Sequence, residues 1–285
     1  MLADAIRSEA YRITKNRMAI FWSVLFLPLL FIVGGLVFNI ISKGRGPDLE
    51  AAAALPLGLG ANAPVNLMDG LGVALGQVAN GGVLVFMLIA AATLYAGDYR
   101  WETWRLISAR NSRVSQLLAK VAMFTLMALA AMLALLIAGL VFSISEALVY
   151  GRPLILDVEG FDAGQFALLI LLGWVRIVQY AMIALLTAVV TRSLLAALFV
   201  PVVIGFGQSL IGGPGLAFLG WDPSLWQSQL LLPGLAYDSL KAVISGAPGH
   251  PEGTVLKAGL SLALWTLAPL AGAIAWFRRQ DLSKE

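Results

Sequence analysis

The chain has 285 residues, of which 60% are hydrophobic and only 12% charged, with a formal net charge of +3 and no cysteine. A soluble domain needs about 25% charged residues to cover its surface, so half that share excludes one and points to a single membrane-embedded domain spanning residues 1–285. The missing cysteines exclude disulfides, thiolate metal sites and thiol nucleophiles.

In chain order, the leader ADAIRSEAYRITKNR spaces Ile6, Ala10 and Ile13 at i, i+4 and i+7, with basic residues elsewhere around the wheel. That pattern predicts an amphipathic helix lying along the inner membrane surface, although basic residues alone would also serve as a simple positive-inside leader. The apolar run 18–41 follows this charged leader and is too long for a signal-peptide core, so it reads as a first span. Five further apolar runs follow, at 76–96, 121–141, 166–190, 194–211 and 255–277. A helix needs about 20 apolar residues to cross a hydrocarbon layer of about 30 Å. None of the runs shows the period-2 alternation of a barrel strand, so six transmembrane helices are predicted. Pro28, Pro201 and Pro269 fall inside runs, where neighbouring helices can satisfy the freed carbonyls. Gly72 to Gly76 in GVALG forms a small-xxx-small pattern for helix packing. Residues 212–254 are too apolar for a solvated loop and too broken by Gly and Pro for a span, which predicts short re-entrant or interfacial helices between spans five and six.

Orientation follows from the basic residues. Arg7, Arg12, Lys15 and Arg17, the group from Arg100 to Lys120, Arg192, and Arg278, Arg279 and Lys284 all fall on one side. Only Lys43, Arg45, Arg152, Lys241 and Lys257 fall on the other. Both termini are therefore predicted to be cytoplasmic, with 42–75 and 212–254 outside.

Catalytic constellations are scarce. The one histidine, His250, stands in the turn GAPGHPEG and reads as a solvated loop residue, and no HExxH, serine elbow or carboxylate cluster marks the spans. No GxxxxGK[ST] occurs either, so the chain has no P-loop of its own. One charge does fall within a span, Arg176 in LLGWVRIVQY. A charge there costs about 2.5–3.5 kcal/mol on insertion scales, so it should face protein or water. It is expected to pair with carbonyls or with Asp222 or Asp238 and to line a translocation path together with Gln179. Snorkelling or a purely structural tie is the plainer alternative.

The stretch GDYRWETWRLISARNSRVSQLLAK, residues 97–120, gathers five basic residues and two tryptophans between apolar runs. Asp98, Glu102 and Arg105 fall at i, i+4 and i+7, and Trp101, Trp104 and Ile107 at i, i+3 and i+6. The spacing predicts an amphipathic helix over 98–113 with one charged and one aromatic stripe, suited to a membrane interface or a protein partner.

This stretch resembles the first cytoplasmic loop of permease subunits of type-2 ABC transporters (the ABC-2 family, mostly exporters), which typically reads E-Y-R-x-G-T-x-R-L-L-L-x-R-P-x-S-R-x-x-L-L-x-x-K. Asp98, Tyr99, Arg100, Thr103, Arg105, Leu106, Arg110, Leu117, Leu118 and Lys120 match in kind, while Glu102 replaces the usual Gly and Asn111 the usual Pro or Gly. The ending FRRQDLSKE and the leader EAYRITKNR are similar to the family's closing segment and N-terminal connecting helix. The resemblance implies a six-span permease in a bacterial plasma membrane, non-enzymatic itself, paired with a second permease copy or paralogue and driven by two separate ATPase subunits that bind ATP and Mg. It also implies that 98–113 is a coupling helix whose Asp98, Tyr99, Arg100, Trp101, Glu102, Thr103, Trp104, Arg105 and Arg110 contact the ATPase. No cofactor bound by the chain itself and no nucleic-acid partner is implied. A secondary transporter is the alternative, disfavoured by the lack of a repeated half and of an acid within a span. A sensing or assembly subunit and an embedded enzyme follow. For the orientation, a cysteine placed at Ser112 is expected to escape an impermeant thiol reagent in intact cells and to react once the cells are permeabilised.

Overall fold

In the computed structural model, residues 2–53, 63–100, 112–249 and 251–280 are described, with 46–53 and 100 as backbone only. Helix α1 (Leu2–Lys15) is followed by α2 (Arg17–Ile20), a π-helical turn (Phe21–Leu25) and α3 (Phe26–Ala53). Next come the two-residue strand β1 (Val65–Asn66), α4 (Leu67–Gln77), α5 (Gly81–Arg100), α6 (Arg113–Tyr150) and strand β2 (Leu154–Ile155). The chain continues with α7 (Ala163–Thr191), α8 (Leu194–Leu210), a second π turn (Ile211–Gly215), α9 (Leu216–Leu219), α10 (Trp226–Leu231), α11 (Pro233–Ile244) and α12 (Thr254–Arg279). It is an all-α architecture in which six helical segments are long and apolar enough to cross a membrane: Arg17–Arg45, Gly81–Tyr99, Arg113–Tyr150, Ala163–Thr191, Leu194–Leu219 and Thr254–Arg279.

These bounds differ from the apolar runs for identifiable reasons. The third helix begins at Arg113, eight residues before the predicted 121, because Ser112 caps it by accepting from the Ser115 amide at 3.2 Å. It ends only where Gly151 turns left-handed at φ 69°. At 38 residues, or about 57 Å, it is longer than a hydrocarbon layer of about 30 Å. The second span starts at Gly81 rather than 76, since Asn80 caps α5 by accepting from Val83, and α4 precedes it as a separate helix. The fifth span continues past 211 to Leu219, kinked at Gly213. Both π turns stand close to a proline, Pro28 after the first and Pro214 within the second. A proline lacks one amide and its ring crowds the carbonyl one turn back, which a local widening of the helix relieves.

Of the predicted helix 98–113, only the two ends are described. Residues 98–100 form the last turn of α5, and Arg113 opens α6. Residues 101–111, with Trp101, Glu102, Thr103, Trp104, Arg105 and Arg110, lie outside the described residues, as does His250.

Helix α7 runs through the centre and packs on α5, α6, α8, α11 and α12, while α3, α4 and α1 pack along α6. At the centre the inward side chains are small, with Ala181, Ala184 and Ala188 fully buried. Large apolar side chains such as Leu133, Ile137, Phe199 and Phe206 point outward, the arrangement expected of helices that meet one another through small residues and face lipid with large ones. Spans α7 and α8 are joined by Arg192 and Ser193 alone, with Arg192 left-handed at φ 57° and Ser193 capping α8. Tyr99 on α5 reaches Gln280 just past α12, Arg113 on α6 reaches the last carbonyls of α12, and Arg12 on α1 reaches Asp98, so α1, the end of α12 and the ends of α5 and α6 that flank residues 101–111 share one end of the bundle, the terminal end.

The small-residue contact falls two positions from the predicted one. Gly70 on α4 meets Gly139 on α6 backbone to backbone: a Cβ on Gly70 would stand 2.2 Å from the Gly139 carbonyl oxygen, and one on Gly139 would stand 2.3 Å from that of Gly70. Gly72 and Gly76 face open space. Gly139→Ala is therefore expected to destabilise the protein by about 1–3 kcal/mol by forcing α4 off α6, whereas Gly72→Ala is neutral or slightly stabilising because alanine is the better helix former. Thermal unfolding of the two variants in the same detergent checks this.

Candidate functional site

Polar side chains gather at two places, one at each end of the bundle. At the terminal end, α1 turns Ala5, Glu9 and Ile13 inward, with Ile6 and Ala10 half-buried beside them. The buried face keeps Ile13 of the predicted apolar stripe but takes Ala5 and Glu9 in place of Ile6 and Ala10, so a carboxylate stands in its middle. Glu9 is satisfied there by Lys120 of α6, whose Nζ lies 3.2 Å away, and by Arg12 one turn on at 2.9 Å. Lys120 Nζ also lies 2.6 Å from Asp98 Oδ2 and donates to the Leu94 carbonyl at 3.0 Å. Arg12 closes the ring by donating to both oxygens of Asp98, the Nη1 bond measuring 3.2 Å. Glu9, Asp98 and Lys120 are each at most 5% exposed. Burial works against the charge of Arg12, but Asp98 and Glu9 outweigh it and hold the guanidinium above its ordinary value.

The consequence is geometric. Asp98 precedes the 101–111 segment and Lys120 follows it, so their ion pair clamps the segment at its base, and Glu9 and Arg12 attach α1 to the same clamp. A second layer ties in the end of α12. The Tyr99 hydroxyl donates to Gln280 Oε1 at 3.0 Å, and Gln280 Nε2 donates to the Val189 carbonyl at 2.6 Å. Arg113 Nη1 reaches the carbonyls of Phe277, Arg278 and Gln280 at 3.2, 3.3 and 2.5 Å. These are the carbonyls a helix end leaves unpaired, and a cation there also complements the helix dipole. Asp98 and Tyr99, predicted to face a partner, point into the protein instead, being 1% and 8% exposed.

Toward the far end, Arg176 of α7 is 7% exposed. Its Nη1 donates to Gln179 Oε1 at 2.8 Å and its Nη2 to the Tyr180 hydroxyl at 3.2 Å. The guanidinium lies over the rings of Tyr180 and Tyr237, 4.7 and 5.5 Å from their centroids, which offsets part of its lost hydration. Gly205 of α8 leaves room for Tyr180, whose hydroxyl oxygen would stand 2.5 Å from a Cβ there. Arg176, Tyr180, Gln208, Tyr237 and Asp238 line a cavity of about 590 Å³ between α5, α7, α8 and α11.

Both acids proposed for Arg176 are exposed, but Asp238 stands at the mouth of this cavity, while Asp222 accepts from the Ser224 amide at 2.7 Å. Ser224 holds the Asp222 carboxyl below its ordinary value. Burial raises that of Asp238, with Arg176 and Lys241 opposing. Gln179 is fully buried behind Arg176 rather than on the cavity wall. The expectation that spans hold no acid is corrected by Asp98 in the second and Glu146 in the third, where α5 and α6 extend past the apolar runs and Lys120, Arg12 and Arg152 supply the counter-charges. Tyr180, Gln208, Glu9 and Arg12 were not read as site residues. Tyr180 and Gln208 were legible as polar side chains within apolar runs, but Glu9 and Arg12 carried no signal beyond a charged leader.

No protein-family model matches the chain, and no curated protein or solved structure does. Among the described residues, no group of three or more His, Asp or Glu stands together as a metal site.

Breaking a buried ion pair by removing one partner costs about 3–5 kcal/mol. Lys120→Met, which removes the buried cation between Glu9 and Asp98, is expected to loosen α1 and to speed thiol labelling of a cysteine at the buried Ile13. Lys15→Met, at an exposed position, should leave that labelling unchanged.

Proposed function

We propose that the protein is the membrane-spanning permease subunit of an ATP-driven ABC-type exporter, driven by separate ATPase subunits that dock on residues 101–111. The observation that carries this reading is the clamp at the base of that segment. Because Asp98 and Lys120 pair with each other and with α1, and Tyr99 and Arg113 hold the end of α12, a push on 101–111 reaches α5, α6, α1 and α12 together. A segment that served only to orient the chain would need basic charge and no such ties. The lack of a P-loop in the sequence requires that ATP be bound elsewhere.

In this reading Trp101 and Trp104 are the buried anchors in the ATPase, and Arg100, Glu102, Thr103, Arg105 and Arg110 set the register of docking. Asp98 and Tyr99 position the segment from inside. Two ATPases and a second permease copy complete the assembly, with both termini cytoplasmic in a bacterial plasma membrane. The outward apolar faces of α3 and α8 are the surfaces left for lipid or for that second copy. The cavity beside Arg176 is part of the translocation path. That charged cavity also favours, as a second reading, a secondary transporter working without ATP.

Losing a central Trp anchor costs about 2 kcal/mol or more, roughly thirtyfold in affinity. The double variant Trp101→Ala, Trp104→Ala is therefore expected to insert normally yet lose its ATPase on copurification from native membranes, or to uncouple hydrolysis from transport. A fully coupled complex from this variant would overturn the proposal and favour the secondary transporter.

A further inference from the structure

The cavity beside Arg176 carries a specific set of unmet polar groups. A guanidinium has five N–H donors, and the protein engages Nη1 and Nη2 of Arg176 once each, leaving donors for a ligand. Gln208 is 8% exposed, lines the same cavity, and its Oε1 is buried with no hydrogen-bond partner. Asp238 stands on the wall, and among the described residues no ion pair joins it to Arg176. The site thus offers one cation and two acceptors that do not satisfy one another. Its other walls mix apolar side chains, among them Leu84, Leu88 and Val202, with Ser209, Tyr180 and Tyr237.

Charge decides what such a site accepts. A simple anion drawn to Arg176 would be repelled by Asp238 at short range, and a simple cation would be repelled by Arg176. A wholly apolar ligand would leave the spare donors, the amide oxygen and the carboxylate without partners after expelling their water. A ligand that carries both charges pairs each of them and leaves the site neutral. At about 590 Å³ the cavity also falls within the usual range of small-molecule sites, about 300–1,000 Å³.

We propose that this cavity binds a zwitterionic group with an apolar body, its acid on Arg176 and its protonated amine between Asp238 and the amide oxygen of Gln208. The inference rests on reading the cavity as part of a translocation path. The acid is a carboxylate or a phosphate, so the same chemistry has two sources, a phosphoethanolamine lipid headgroup or a soluble amino acid or peptide with both ends free.

The test uses the full chain in phosphatidylglycerol nanodiscs without any ATPase, so that its failure leaves the coupling proposal standing and an uncoupled ATPase leaves this one standing. Dihexanoyl phosphatidylethanolamine and the dipeptide leucyl-leucine are titrated calorimetrically, each beside its N-acetylated form, which keeps the acid and lacks the ammonium. At least one of the two should bind about tenfold tighter than its acetylated form, and which one does so identifies the source. Asp238→Asn should abolish that preference, and Arg176→Gln should weaken both forms of the ligand alike by about tenfold. The proposal is overturned if neither zwitterion is preferred over its acetylated form, a comparison made on the unaltered chain and so independent of how the variants fold. Survival of the preference in Asp238→Asn, or unchanged binding in Arg176→Gln, overturns it equally.

Discussion

Two acids and two bases meet where α1, α5 and α6 come together, with Glu9, Asp98 and Lys120 buried and Arg12 partly exposed at the edge. Lys120 lies between Glu9 and Asp98, and Arg12 bridges the same two carboxylates from the other side, so among the described residues each charge meets two of opposite sign. A single unpaired charge in such a place costs several kcal/mol. Helix α1 cannot leave without removing Arg12 from Asp98 and Glu9 from Lys120 in one step, nor can α5 and α6 part at this end. The positions of residues 98 and 120 are fixed by this requirement, and with them the two points between which the 101–111 segment is held.

From this end the bundle is built by fit rather than by hydrophobic drive, since lipid is as apolar as the side chains it touches. Where helices meet, the side chains are alanine and glycine, as along α7 and at the Gly70–Gly139 crossing of α4 and α6. Polar ties supply the rest. Trp174 donates to the Thr125 carbonyl at 3.1 Å and Trp265 to the Leu230 carbonyl at 2.8 Å, and Lys257 holds the Ser224 carbonyl at 2.8 Å, which fastens α7 to α6 and the α10 region to α12. The cavity opens where this fit is interrupted by Arg176, a side chain too long and too polar to be packed among alanines. The two polar sites are thus of different kinds: the terminal one is fully paired and holds helices together, and the far one is left with unmet groups.

How far these features could be read in advance varied with their range along the chain. Six apolar runs were visible because each answers to one local demand, a length of about 20 residues without charge. Their ends were not, because Arg113, Lys120 and Asp98 count against a span by composition and are accommodated only by partners on other helices. Helix α4 was hidden in a segment read as a loop. The glycine contact was placed two residues off, since which face of α4 meets α6 depends on where Gly139 lies. Arg176 stood out as a lone charge in an apolar run; its bonds to Gln179 and Tyr180 were not the expected pairing, while Asp222 and Asp238 followed as candidate acids. The choice between Asp222 and Asp238 did not, because it turns on how α10 and α11 fold back.

By itself the sequence determined an all-helical chain with six segments able to cross a membrane, because hydrocarbon thickness and the need to satisfy every backbone hydrogen bond act on each segment separately. It also determined that the chain carries no P-loop, because a P-loop is a contiguous motif. Only the tertiary structure decided which charges are partners and which are left open. Glu9 lies 111 residues from Lys120 and Arg12 lies 86 from Asp98, and an ion pair exists only when helix packing brings such groups within about 4 Å.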